Sequence, residues 1–164
     1  MDKPAWLPEP LNPDDYEDWE RLEDAAYRIF CQDFIDKEPP LHHEKLVKLN
    51  FDKDLREIKG REKSFYHLVK KTEDKRSRRI VEDPLRAARI GWVRPLIENS
   101  DAKDVRIWDY WESDYSDFVR RYIWLENYRF VVILQEEVSE FVLITAYYVD
   151  REDRLKNKYN KRIQ

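Results

Sequence analysis

Glycine is almost missing from this chain: Gly60 and Gly91 are the only two among 164 residues. A phosphate-cradling P-loop and a dinucleotide-binding G-x-G-x-x-G turn both need several glycines at fixed spacing, so neither is present. Cysteine is scarcer still. Cys31 stands alone, which excludes an internal disulfide and fits a reducing cytoplasm. Placed among Ile29, Phe30 and Phe34, it reads as a small hydrophobe rather than a catalytic thiol. The three histidines fall in two places, and His42 and His43 are adjacent, so they would face opposite sides of a strand and make no recognisable zinc site. No apolar run approaches the roughly 20 residues of a membrane helix. The segment MDKPAWLPEP lacks the basic-then-apolar layout of a secretory signal. The expectation is a cytoplasmic protein with no metal, no cofactor and no membrane attachment.

What the chain does have is charge and aromatic rings. Charged residues make up 40%, and the six Trp, ten Tyr and seven Phe imply a core built as much on aromatics as on Leu and Ile. The net charge of −4 conceals an asymmetry. Residues 1–44 carry thirteen acids against four bases, and residues 53–94 carry fourteen bases against seven acids. Such a division suggests an anion-binding face with an acidic element elsewhere that shields it; a solvated mixture of charges is the plainer reading.

The segment with Pro4, Pro8 and Pro10 reads as an extended arm. Asn12 suits a helix cap, Pro13 a first turn, and Asp14 and Asp15 the positive end of a helix dipole. Tyr16, Trp19, Leu22, Ala26, Ile29 and Phe30 then form one apolar stripe, predicting an amphipathic helix over 13–36. Alternation from Lys45 predicts a strand over 45–58, ended by Gly60. SFYHLV reads as a short strand, KKTEDKRSRR as a mobile basic loop, and Asp83-Pro84 as the start of a helix that breaks before Pro95. Four β-branched and aromatic runs follow, VRIWDYW, FVRRYIWL, YRFVVILQ and EFVLITAYYV, and then a basic tail. The predicted class is α+β: N-terminal helices packed on a small twisted antiparallel sheet, with a basic C-terminal helix. Residues 1–44 form an acidic arm and helix and residues 45–164 an α+β core, together one compact domain.

The chemistry left by these exclusions uses histidine, arginine and hydroxyl groups. RNA can be cut without metal: its 2′-hydroxyl attacks the adjacent phosphorus, a base takes the proton, an acid protonates the leaving oxygen, and cations stabilise the developing charge. Histidine suits proton transfer near neutrality, and arginine offers phosphate a planar, permanently charged fork. The parts are His67, Glu62, Arg61, Arg86, Arg89, Arg94, Thr145, Tyr147 and Tyr148. Arg86 and Arg89 are neighbours at helical spacing. Regular alternation puts Leu143, Thr145 and Tyr147 on one face of the last strand and Ile144, Ala146 and Tyr148 on the other. Taken one at a time, each part also has a structural reading: a packed histidine, exposed helix arginines, or hydroxyls that satisfy one another within the sheet.

The order of the segments adds to this. GREKSFYHLV, DPLRAARIGWVRPLIEN, YRFVVIL and FVLITAYYVDRE in succession resemble the phage-associated branch of the barnase–EndoU–colicin–RelE superfamily of metal-independent ribonucleases, over roughly residues 50 to 160. The resemblance implies a ribonuclease of phage or toxin type; the preferred mechanism is endonucleolytic cleavage of RNA that leaves a 2′,3′-cyclic phosphate, with a cognate inhibitor or immunity protein as a candidate second partner. It places His67 as an early-strand histidine, Arg89 and Arg94 as phosphate-binding arginines, and Thr145 with Tyr147 as the last-strand polar pair. Glu62 would complement His67. Arg61, Lys70, Lys71, Lys75, Arg76, Arg78, Arg79 and Arg86 would hold or steer RNA by salt-sensitive attraction. The alternatives are a non-catalytic RNA-binding module of the same fold, or a protein-interaction protein using its acidic helix and basic face.

Overall fold

The computed structural model describes residues 3–73, 76–112 and 118–164. Its architecture is α+β. A six-stranded sheet has the order β1-β2-β8-β7-β6-β5, where β1 is Leu41–His42, β2 Lys45–Lys48, β5 Val105–Glu112, β6 Phe118–Leu125, β7 Phe130–Glu136 and β8 Glu140–Tyr148. The last four strands form the antiparallel meander expected from their spacing. The sheet as a whole is mixed, because β2 runs parallel to β8 with Val47 beside Phe141. A separate ribbon pairs β3 (Lys70–Thr72) with β4 (Ile80–Glu82) across part of the stretch expected to be a loop.

The helices are shorter than the periodicity predicts. Asn12 caps only a 3-10 turn over Pro13–Asp15; Asp18 then caps α1 (Trp19–Phe30) by accepting from the Arg21 amide, and the chain continues as a π-helical turn over Cys31–Ile35. Asp83 accepts from the amides of Leu85 and Arg86 and starts α3 (Pro84–Ala88), as read. That helix ends at Ala88, well before Pro95, as expected. A 3-10 turn over Ile90–Trp92 leads into α4 (Val93–Glu98), and Pro95 sits in the first turn of that helix, where an absent N–H costs no hydrogen bond.

Two further expectations are corrected. The strand from Lys45 ends at Lys48. Beyond it, Asn50 and Asp54 turn their side chains back to accept from the amides of Asp52 and Arg56, local bonds that compete with a sheet ladder. Gly60 closes that loop with φ of 55°, a conformation costly for other residues. SFYHLV is helical: α2 spans Lys63–Val69. Phe65, Leu68 and Val69 are buried at helical spacing, and a short apolar run of this kind satisfies either period.

Two cores flank the sheet. On one face Leu22, Ala26 and Phe30 of α1 and Phe65 and Leu68 of α2 pack with Val132, Leu134, Phe141 and Leu143. On the other, Trp108, Tyr122, Trp124 and Ile133 pack beneath Leu155 of α5 (Glu152–Asn160). The acidic helix therefore belongs to the same core as the strands. No described helix is long and apolar enough to cross a membrane.

Candidate nucleic-acid interface

Strand β8 is irregular where it meets α2. Ile133 pairs with Thr145 and Leu134 with Leu143, so Ile144 is an extra residue in a bulge. The bulge resets the alternation. Leu143 and Ala146 enter the helix-side core, whereas Ile144 and Tyr147 pack against the α5 side. Thr145 and Tyr147 share a face as expected, but Leu143 does not join them and Ile144 does not enter the helix-side core.

The bulge opens beside α2. His67, turned away from buried Phe65 by the helix, is exposed at a cleft of about 760 Å³ lined also by Lys70, Lys71, Arg78, Arg86 and Thr145. The Thr145 hydroxyl donates to the His67 carbonyl at 3.0 Å. Arg86 Nη1 donates to the Lys70 carbonyl at 2.9 Å and reaches the His67 carbonyl at 3.3 Å and Thr145 Oγ1 at 3.4 Å. Its guanidinium lies 5.1 Å from the centre of the Tyr147 ring. One arginine thus ties α3, the end of α2 and the bulged strand together.

Electrostatics distinguish the cations of this region. Arg61 is bound to Glu23 at 2.7 Å and Asp24 at 2.8 Å, and Lys59 to Asp24 at 2.6 Å, so the acidic helix neutralises part of the basic segment. Within the cleft, Lys70 pairs with Glu57 at 2.7 Å and Arg56 with Asp54 at 3.0 Å. Lys71 and Arg78 make no ion pair among the described residues. Desolvation holds the His67 imidazole below its ordinary pKa; Arg86, Arg56 and Lys63 add to the shift and Asp54 opposes it. The shift favours the neutral imidazole, which makes no hydrogen bond to a described residue. Burial also lowers the Arg86 pKa and raises that of the Tyr147 phenol.

Several anticipated residues lie elsewhere. Arg94 Nη1 donates to the carbonyls of Asp33 and Glu38, bracing the chain beyond α1. Arg89 stacks on Trp92 and on Tyr148, with centroid distances of 5.2 and 4.5 Å, and donates to the Leu85 carbonyl. Glu62 is buried, accepting from the Tyr27 hydroxyl and the Lys53 ammonium. Arg61 is enclosed by α1 as described. These four do not line the cleft, because each has a carboxylate, carbonyl, cation or ring partner inside the scaffold. Arg79 reaches Glu73 at 3.8 Å on the surface, Arg76 also has a partner, and Lys75 lies outside the described residues. Sequence reasoning missed Asp54, Arg56 and Glu57 as cleft walls, since the segment read as a strand. No group of three or more His, Cys, Asp or Glu among the described residues is placed to hold a metal ion.

Comparison with protein-family models, curated proteins and solved structures gives no match.

Proposed function

We propose that the cleft grips the phosphodiester backbone of RNA and that the protein is a metal-independent endoribonuclease acting through His67. The observation that carries this reading is the His67 imidazole, without a hydrogen bond to a described residue, set in a cleft with Arg86 and with Lys71 and Arg78, which make no ion pair among the described residues. In this mechanism the imidazole takes the proton from a 2′-hydroxyl. The freed oxygen bonds to the adjacent phosphorus, the bond from phosphorus to the 5′-oxygen breaks, and solvent protonates the leaving oxygen. A 2′,3′-cyclic phosphate and a 5′-hydroxyl result. Lys71 and Arg86 face the charge that grows on the phosphoryl oxygens. This agrees with the activity implied by the ribonuclease resemblance, although the histidine sits on a helix and both anticipated phosphate-binding arginines, Arg89 and Arg94, stand outside the cleft.

The test is incubation of pure protein with total RNA in excess EDTA beside a His67→Ala control. Cleavage with cyclic-phosphate ends, abolished in the control, is the expected result. Cleavage retained by the control sinks the role of His67. A second reading, RNA binding without turnover, is favoured by one observation: Arg86 and Thr145 direct hydrogen bonds to main-chain carbonyls. It predicts intact RNA with salt-sensitive binding.

A further inference from the structure

A second cleft, of about 390 Å³, opens on the far side of Arg86. Lys71 and Arg86 line both clefts, so the two adjoin at those side chains. Helix α5 supplies its outer wall through Arg154 and Lys158, and β8 supplies Tyr147 and Tyr148.

Most charges here are already matched. Lys158 donates to Glu112 at 2.9 Å, Arg151 pairs with Asp153 at 2.9 Å, and Asp83 holds Arg86 Nε at 3.3 Å. Arg154 is exposed and makes no ion pair among the described residues, which leaves it and Lys71 as the unmatched cations, against Asp150 at the rim. Arg78, Lys71 and Arg154 therefore mark a track from the first cleft, past Arg86, into the second. A single phosphate needs only the first cleft; a track this long suits a repeating anion.

We propose that the second cleft is a flanking-phosphate subsite in which Lys71 and Arg154 hold the phosphate next to the one at Arg86. The ligand is then a strand of at least two consecutive nucleotides, with the C-terminal helix contributing to its recognition. The inference rests on the assignment of the first cleft to RNA.

The test uses 2′-O-methyl oligouridylates of one to eight nucleotides, which cannot undergo 2′-hydroxyl attack, and measures their binding as a function of salt. Affinity should rise steeply once a second internal phosphate is present. Arg154→Gln should weaken binding of the longer strands severalfold and lower the slope of log affinity against log salt by about one, while leaving the mononucleotide 3′-phosphate unaffected. Arg151→Gln, whose cation is already paired, should change little. Equal losses for mononucleotide and oligomer in Arg154→Gln, or no loss for the oligomer, overturn the subsite alone. Failure of the unaltered protein to bind any oligomer at low salt overturns the RNA assignment and the subsite with it.

Discussion

The Thr145 hydroxyl and the His67 main-chain carbonyl are joined by a 3.0 Å hydrogen bond, so a strand near the end of the chain fixes the last turn of a helix near its middle. Thr145→Val removes the donor while keeping the shape. The expected loss is about 1 kcal/mol, read by urea denaturation, because Arg86 still serves the same carbonyl. Thr145→Ser should restore most of it. A drop in RNA cleavage much larger in Val than in Ser would show that the bond positions His67.

The lowered pKa of His67 sets the sign of a pH profile. A base works when neutral, so cleavage should hold at pH 7 and fall on acidification through a midpoint below the ordinary imidazole value of 6.5. Cleavage that instead increases as the medium is acidified would make the imidazolium the acting form and remove the base assignment.

A different histidine contributes to the pH dependence of stability. His42 is buried, its Nδ1 is 2.9 Å from Ser100 Oγ, its ring stacks on His43 at 4.0 Å, and Arg121 Nη1 lies 3.4 Å from its Nε2. Desolvation, helped by His43 and Arg121 and opposed by Asp101 and Asp109, brings its pKa down to about 4. The unfolded chain binds this proton first, so stability should decline as pH drops from about 6.5 to 4. At roughly 1.4 kcal/mol per pH unit, the loss is about 3 kcal/mol. His42→Gln should flatten that part of the profile in pH-dependent denaturation; an unchanged slope would contradict the assignment.

Arg61 tests the distinction between scaffold cations and ligand cations. Arg61→Ala leaves Glu23, 7% exposed, with the Trp19 indole N–H but without its cationic partner, and removes a guanidinium stacked 4.3 Å from the Tyr27 ring centre. Destabilisation of about 3 kcal/mol is expected, with no change in the salt dependence of RNA binding by the folded protein. Arg78→Ala should do the reverse. Calorimetry beside a salt titration separates the two.

Tyr147→Phe should fold with stability within about 0.5 kcal/mol of the parent, since the phenol has no hydrogen-bond partner among the described residues while the ring keeps its place beside Arg86. Thermal denaturation checks this, and any accompanying loss of cleavage would belong to the hydroxyl.

Much of the architecture was legible in local patterns. The four β-rich runs gave the meander, Asp83-Pro84 gave the start of α3, and the stripe from Trp19 to Phe30 gave α1. The errors share a cause. The short run around His67 fits a strand as well as a helix, and the choice is made by α1 and β8 packing around it. Alternation puts Leu143 and Ile144 on the wrong faces because a bulge is a tertiary event that leaves no mark on it. Arg61 and Arg94 read as RNA ligands for the same reason they make good braces: a guanidinium serves a carboxylate or a carbonyl as readily as an anion from solution. Only the fold could show which partner had reached each one.

The parallel pairing of Val47 with Phe141 has a consequence for how the molecule assembles. Meander strands β5 to β8 can join through short connections as each is made, but β2 must wait for the last of them. Its loop closes over most of the chain, an entropic cost that local hairpins avoid. The bulged strand would thus act as the late seam of folding: until β8 is in place, the last turn of α2, which carries His67, lacks the Thr145 bond that fixes it.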